Sequence, residues 1–195
     1  MVGSLFFEGK EIATNIFMKS LITLNEFQEY NNYYEENMTS TCQIFIDSAS
    51  AIVADYIGYD PNEQDYEEII EGIGSDKLYT AIPHISEFSY VMDIEKEEML
   101  NNLVANEDYI YERDGKEVFK EGKKYKVSYS GGWKTIPSDI KFACLRISAL
   151  ALQESNGNIG LSGKSFVDQS RSFVSYSSYD KYLKPLLPYR SKAIL

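Results

Sequence analysis

The stretch Val127–Leu152, which reads VSYSGGWKTIPSDIKFACLRISALAL, contains the change of period that decides the fold class. In its first residues, apolar and polar side chains alternate, as they do in a strand with one wet face. Gly131 and Gly132 interrupt that alternation, and Pro137 occupies the first-turn position that proline prefers in helices. Apolar residues then recur at helical spacing. The sequence therefore predicts a strand, a break and a helix over about 137–154.

The predicted helix 137–154 is apolar around most of its circumference. One stripe runs from Ile140 to Ala151, and further apolar side chains fall largely outside it. A helix with so wide an apolar surface is buried on several sides. A chain of 195 residues has a core of limited size, so we expect a neighbouring subunit to cover part of this helix. The predicted subunit contacts are Phe142, Leu145, Ala149, Leu152 and, at the break, Trp133.

Two further helices are predicted in the first third of the chain. Thr23 and Glu26 have the spacing of a capping box, which predicts a helix over about 23–36. Apolar residues at helical spacing predict a second helix over about 40–58, which Gly58 terminates.

The middle of the chain, about 66–130, has the pattern of an antiparallel β lobe. The turn dipeptide Asp114-Gly115, between two short apolar runs, predicts a hairpin. We therefore predict an α+β fold, a small bundle of antiparallel helices with an inserted antiparallel β lobe and a C-terminal tail. A single domain is expected over 20–190. For the weakly patterned extension 1–19, a leader, an upstream start and a flexible arm remain open.

The C-terminal segment, about 172–190, is apolar and aromatic, and Pro185 and Pro188 prevent a long helix there. It either folds back on the core or serves as a docking tail. The residues proposed for docking are Tyr179, Tyr182, Leu183, Leu186, Leu187, Tyr189 and Arg190.

Charge and composition exclude several classes of function. The net charge of -11 argues against tight nucleic-acid binding, which needs lysine and arginine to displace counterions. No apolar run approaches the length of a membrane span, and the N-terminus lacks the apolar region of a signal peptide. Synthesis in the cytosol without a membrane partner is expected.

Candidate chemical motifs are weak. The stretch 157–165, GNIGLSGKS, ends like a phosphate-binding loop, but its glycines are out of register and no strand precedes it, so it is predicted to be a loop. His84 is the single histidine, and metal and nucleophilic sites need more converging donors. No catalytic residue, metal site or cofactor is predicted. Cys42 and Cys144 are predicted to be buried and reduced.

The stretch 127–152 resembles the tailed-bacteriophage head-tail connector (adaptor) family, whose members often show V-x-Y-x-G-aromatic followed by P-x-D-[IL]-K-x-A. The order of other segments agrees with that family over about 21–190. These segments are SASAIVADYIG (Ser48–Gly58), EGIGSDKLY (Glu71–Tyr79) and YLKPLLPYR (Tyr182–Arg190).

The resemblance implies a structural virion protein in the neck, at the portal vertex of the capsid. Such proteins form a ring of roughly a dozen copies with closed symmetry. The portal protein lies on one side of the ring, a stopper or tail-completion protein lies on the other, and DNA passes through without specific binding. The C-terminal tail would insert into a groove of the portal.

Two alternatives remain beside the connector. The chain could be another phage ring component, such as a stopper or tail-terminator protein, although that class is expected to be mostly β. It could also be an enzyme with its chemistry in the β lobe, against which the single histidine and the absence of paired donors argue.

Overall fold

The computed structural model describes residues 4–7, 10–13, 18–32, 34, 39–116, 118–155, 163–166, 169–172 and 179–191. The chain forms two compact units. The helical unit comprises Met18–Tyr59 and Ile136–Arg190, and the β unit comprises Met1–Phe17, Asp60–Thr135 and Ser191–Leu195. The fold is mixed α+β with antiparallel sheets, so the predicted class is confirmed.

The helical unit contains α-helices, one 3-10 helix and a two-stranded antiparallel hairpin in its described residues. In chain order they are α1 (Leu24–Asn31), α2 (Thr39–Ile57), α3 (Ser138–Ser155), β10 (Gly163–Phe166), β11 (Gln169–Ser172), α4 (Tyr179–Leu183) and a 3-10 helix (Lys184–Tyr189).

The first helix begins at the predicted capping box. The Thr23 hydroxyl accepts the Glu26 N–H at 3.2 Å, and the Glu26 carboxylate accepts the Thr23 N–H at 2.7 Å. The helix ends at Asn31, because Asn32 adopts the left-handed conformation with φ 49°, a common way to end a helix. α1 is therefore shorter than the predicted 23–36.

The core of the helical unit lies between α2 and α3. Ile46 and Val53 of α2 and Ile140 and Ile147 of α3 are buried. The Ser50 hydroxyl donates to the Ile46 carbonyl at 2.8 Å and lies 3.4 Å from the Cys144 sulfur. Both cysteines are buried and neither forms a disulfide, and burial raises the pKa of the Cys144 thiol to about 12.

The β unit contains two antiparallel sheets. The strands are β1 (Ser4–Phe7), β2 (Lys10–Ala13), β3 (Gln64–Glu71), β4 (Lys77–Tyr79), β5 (Glu87–Asp93), β6 (Glu98–Met99), β7 (Leu103–Ala105), β8 (Tyr109–Glu112) and β9 (Lys124–Gly131). The larger sheet has the strand order β1-β2-β3-β9-β5-β6, and the smaller has the order β4-β8-β7.

The centre of the larger sheet is β9, which pairs with β3 and β5. Its Tyr125, Val127 and Tyr129 are buried. The Tyr129 hydroxyl donates to the buried Glu68 carboxylate at 2.9 Å and accepts the Ile82 N–H at 3.2 Å. This network fixes the segment before Pro83 to the buried face of the sheet.

The break after β9 depends on Gly132, whose φ of 98° favours glycine. Its N–H donates to the Pro83 carbonyl at 3.0 Å, and the Trp133 N–H donates to the Pro61 carbonyl at 2.8 Å. The SGGW stretch therefore ends the strand by close backbone contacts inside the β unit.

Residues 4–7 and 10–13 of the extension 1–19 belong to the larger sheet. β1 pairs with β2, and β2 pairs with β3 through Ile12 and Glu68. Its weak pattern gave no sign of this pairing, because the partner strand is distant in sequence.

The hairpin predicted at Asp114-Gly115 is wrong. β8 pairs with β7 and β4 instead, and Phe119 makes a bridge with Ser75. The Glu112 carboxylate accepts the N–H groups of Asp114 and Lys116, so a side chain closes this turn.

The loop predicted at the end of GNIGLSGKS is also corrected, because its last residues, Gly163–Ser165, begin β10. β10 pairs with β11 in antiparallel register. The strand predicted at 173–176 lies outside the described residues.

Candidate functional site

An exposed group of aromatic rings surrounds one arginine on the helical unit. Tyr30 of α1, Phe142 and Arg146 of α3, and Tyr182 of α4 form what we call the Arg146 surface. Phe142 is 53% exposed and Tyr30 is 38% exposed. Aromatic side chains with this much exposed area are characteristic of interaction surfaces.

Arg146 holds the three rings in place. Its guanidinium donates to the Tyr30 hydroxyl at 2.7 Å and to the Tyr182 hydroxyl at 3.1 Å. The same group lies 5.9 Å from the centre of the Phe142 ring and 5.1 Å from that of Tyr182. Tyr30 and Phe142 meet edge to face, with 6.5 Å between their ring centres.

Two side chains, Arg146 and Lys181, give this surface positive charge. The hydrogen bonds to Tyr30 and Tyr182 raise the pKa of Arg146 above its usual value, so the guanidinium remains charged. Lys181 adds a second cation, with its ammonium 5.7 Å from the centre of the Tyr182 ring. Arginine and tyrosine together are the residues that dominate binding energy at protein interfaces.

An ion pair fixes α1 against α3 beside this surface. The Lys141 ammonium donates to the Glu26 carboxylate at 2.6 Å. This hydrogen bond holds the pKa of Glu26 below its usual value of 4.5. Since Glu26 also caps α1, the same carboxylate sets where α1 begins and how it meets α3.

The predicted subunit contacts fall in three different environments. Phe142 is exposed and Leu145 is half-buried. Ala149 and Leu152 are 7% and 6% exposed, so little of either side chain is left for a neighbouring chain, because the chain itself covers them. Trp133 belongs to the β unit, where its ring centre lies 3.6 Å from that of His84.

The segment 179–190 packs on the helical unit rather than standing free. Leu183 and Leu186 are buried. The Tyr189 hydroxyl donates to the Asp139 carboxylate at 3.2 Å, and the Arg190 guanidinium lies 5.5 Å from the centre of the Tyr56 ring. The side chains proposed for docking are therefore largely engaged within the chain. Leu187, at 55% exposure, is the clearest exception.

The β unit carries a second group of rings on the outer side of its smaller sheet, which we call the tyrosine face. Tyr79 of β4 lies opposite Tyr109 of β8, with 5.5 Å between ring centres, and Tyr111 lies 5.9 Å from Tyr109. The Lys77 ammonium is 5.0 Å from the centre of the Tyr109 ring. Tyr79 is 47% exposed.

Residues 20–154 match the family model for head completion protein. The chain belongs to the head completion protein family. The matched range includes α1 to α3 and therefore Tyr30, Phe142 and Arg146, while Tyr182 lies beyond it. This assignment confirms the resemblance to phage head-tail connectors that the sequence predicts. No match is found among curated proteins.

Solved structures with a similar fold come from gene transfer agent (GTA) particles. A chain from the neck of an empty GTA particle computed with C6 symmetry matches with a TM-score of 0.52 and 10% identity, covering 88% of this chain and 90% of that one. A chain from the neck of a native GTA particle computed with C12 symmetry matches with a TM-score of 0.50 and 10% identity, covering 90% of this chain and 96% of that one. A chain from the virion of a native gene transfer agent particle matches with a TM-score of 0.51 and 11% identity, covering 88% of this chain and 90% of that one. At these identities the likeness concerns the fold.

The described part of the chain contains neither a group of metal ligands nor a membrane-spanning helix. Within those residues, no three histidine, cysteine, aspartate or glutamate side chains are arranged to hold a metal ion. None of the described helices has both the length and the hydropathy that crossing a membrane requires. The candidate functional features of this head completion family member are the Arg146 surface and the tyrosine face.

Sequence reasoning found part of the Arg146 surface and missed the rest. Phe142 and Tyr182 were predicted to take part in two separate contacts, and the structure brings them together. Tyr30 and Arg146 were not predicted. Arg146 is the one charged residue in the run 142–152 of α3, and this isolated charge is the signal that could have identified it.

Proposed function

We propose that this chain is a structural protein of the phage neck that assembles with copies of itself into a closed ring. In this proposal the ring lies between the portal and the stopper or tail, joins head to tail, and lets DNA pass through its centre. The observation that carries the proposal is the head completion family match over residues 20–154. The fold likeness to chains of GTA necks computed with C6 and C12 symmetry supports it.

The exposed surfaces suit an assembling protein. A ring is built from contacts that repeat from copy to copy, so each chain needs surface that only a neighbour covers. The Arg146 surface provides exposed aromatic area and a fixed cation on α1, α3 and α4. We therefore assign the subunit contact to this surface, with Phe142 and Leu145 retained from the sequence prediction.

The charge of the chain suits a passage that DNA does not adhere to. Each copy carries a net charge of -11. A ring of such copies therefore carries a large negative charge, which repels the DNA polyanion. Under this proposal DNA is neither bound by sequence nor held tightly.

For the portal contact we retain Leu187 at the end of the chain. It is 55% exposed between Pro185 and Pro188, and both prolines are also exposed. The packed side chains beside it give this apolar residue a fixed position, which suits a small contact with a groove.

A second candidate, a stopper or tail-terminator protein, is favoured by one observation. The β unit contains a six-stranded and a three-stranded sheet, and a large β component is expected of that class. The two candidates differ in the neighbour that the chain contacts first. An enzyme has no comparable support.

The experiment is co-expression of the full chain with the portal protein, or separately with the tail-completion protein, followed by native mass spectrometry. A complex of the portal with a closed set of copies supports the connector position. Binding to the tail-completion protein alone would favour the stopper. A chain that remains monomeric with both partners would contradict a ring component of either kind.

A further inference from the structure

We propose that the Arg146 surface of one copy contacts the tyrosine face of the next copy. This inference rests on the proposed ring and names the two surfaces that form its repeating contact. It concerns contacts between copies, and the two surfaces belong to different compact units of the chain.

Closure of a ring requires two different surfaces on each chain. When a surface contacts its own counterpart on a second copy, the result is a two-fold dimer, and assembly stops there. A ring of several copies instead repeats a head-to-tail contact. The partner of the Arg146 surface must therefore lie elsewhere on the chain.

Charge indicates which unit provides that partner. The β unit holds 11 lysines and arginines against 20 aspartates and glutamates, a net charge of -9, whereas the helical unit holds 8 against 10, a net charge of -2. The Arg146 surface adds Arg146 and Lys181 to its side of the contact. Complementary charge orients two surfaces and suppresses wrong pairings, so the acidic β unit is the favoured partner.

Within the β unit, the tyrosine face combines aromatic area with carboxylates that are close to its strands in the sequence. Asp76 precedes β4, and Glu107 and Asp108 form the turn that leads into β8. The Lys77 ammonium lies 5.0 Å from the centre of the Tyr109 ring, so this ring already has a cation on its face. In the proposed contact the incoming cations therefore face Tyr79, Tyr111 and the carboxylates rather than Tyr109.

The outer side of the larger sheet is a weaker candidate. Its Glu67 carboxylate lies 2.7 Å from the Lys126 ammonium and accepts the Tyr90 hydroxyl at 2.7 Å. These contacts hold the pKa of Glu67 below its usual value. A carboxylate that is already neutralised by its own chain attracts a second cation less.

Both proposed surfaces have the composition of interface centres. Phe142 at 53% and Tyr79 at 47% exposure lose much apolar area when covered, and tyrosine and arginine are enriched among the residues that contribute most to binding. The hydroxyls of the tyrosine face also offer acceptors to an incoming guanidinium or ammonium.

The test is photo-crosslinking in the assembled ring, formed with the portal protein if the portal is needed. A benzophenone amino acid replaces Phe142 in one population of full-length chain, and a second population carries a heavy isotope, so that crosslinks between copies are identified by mass. We expect crosslinks from position 142 to residues 76–80 or 103–112 of another copy, which belong to the smaller sheet or flank its strands. The same probe at Ile44, which is 61% exposed on α2, is the matched control and should not reach that range.

Charge-exchange variants provide a second, independent test of the proposed contact. Arg146→Glu should reduce the assembled fraction at least about tenfold, equivalent to about 1.4 kcal/mol, and Arg146→Glu combined with Glu107→Arg should recover part of it. Lys134→Glu changes the net charge equally at a side chain 77% exposed in the β unit and should assemble normally. Circular dichroism verifies that each variant is folded.

Each outcome bears on the inference. Crosslinks from position 142 only to the larger sheet of a neighbour, only to its helical unit, only to the portal, or to no other copy in a ring that forms would overturn it and leave the proposed function standing. Wild-type chain that forms no ring under any of these conditions would overturn both.

Discussion

A Cβ atom on Gly132 would lie 2.6 Å from the carbonyl oxygen of Asn62. Gly132 also has a φ of 98°, so two independent requirements exclude a side chain at this position. The close approach lets Trp133 form a bridge with Asn62 immediately after β9. The glycine pair in the SGGW stretch thus leaves the space that the backbone needs to turn out of the sheet after β9.

Gly132→Ala should destabilise the protein more than Gly115→Ala does. Gly115 also has a positive φ, 70°, but a Cβ there would meet nothing within 4 Å, so it measures the conformational cost alone, about 1 to 2 kcal/mol. Gly132→Ala should cost at least about 2 kcal/mol more because of overpacking. Urea unfolding measures the difference, and equal losses in the two variants would exclude the steric explanation.

Leu186→Ala should destabilise the helical unit, whereas Leu187→Ala should not. Leu186 is fully buried, while its neighbour is 55% exposed. Removing a buried leucine side chain typically costs about 2 to 5 kcal/mol. Thermal unfolding of the two single variants tests whether the terminal segment belongs to the fold. A Leu186→Ala protein as stable as wild type would show that this segment contributes no core.

Tyr129→Phe should weaken the β unit more than Tyr90→Phe. The Tyr129 hydroxyl contacts the Glu68 carboxylate and the Ile82 N–H in the interior, and burial raises the pKa of this tyrosine, so it remains a neutral donor. Loss of a buried hydrogen-bonding partner costs about 1 to 3 kcal/mol. Tyr90 donates to Glu67 at the surface and is the control. Indistinguishable unfolding midpoints would mean that the interior network contributes nothing.

The Glu26–Lys141 pair should make stability depend on pH in the acid range. Since the folded-state pKa of Glu26 is lowered from 4.5, its contribution is full above that value and is lost as the pH falls through the lower folded-state pKa. The stability gap between wild type and Lys141→Met should therefore be present at about pH 7 and smaller at about pH 3. Lys96→Met, whose Glu98 partner is 3.9 Å away and exposed, should show no such change. A gap that is constant with pH would contradict the role of this pair.

The helices and the break were predictable because their signals are local. The capping box at Thr23 involves residues three positions apart, and the apolar period of α2 and α3 repeats within each helix. The alternation in β9 likewise reflects one buried face.

The strand pairings and the Arg146 surface were not predictable, because they join distant residues. β3 pairs with β9 across about sixty residues of chain, and nothing in the 1–19 pattern names β3 as its partner. In the Arg146 surface, Tyr30 and Arg146 are 116 positions apart. The turn at Asp114 failed for a different reason, since the Glu112 side chain competes with the expected hairpin hydrogen bonds.

The measurement that tests the central proposal most directly is a cryo-electron microscopy reconstruction of necks assembled from portal, this chain and tail components. We expect a closed ring of this chain between the portal and the tail, with Phe142 and Arg146 covered by a neighbouring copy. A neck in which the chain forms no ring, or a ring in which the Arg146 surface faces solvent, would contradict the account.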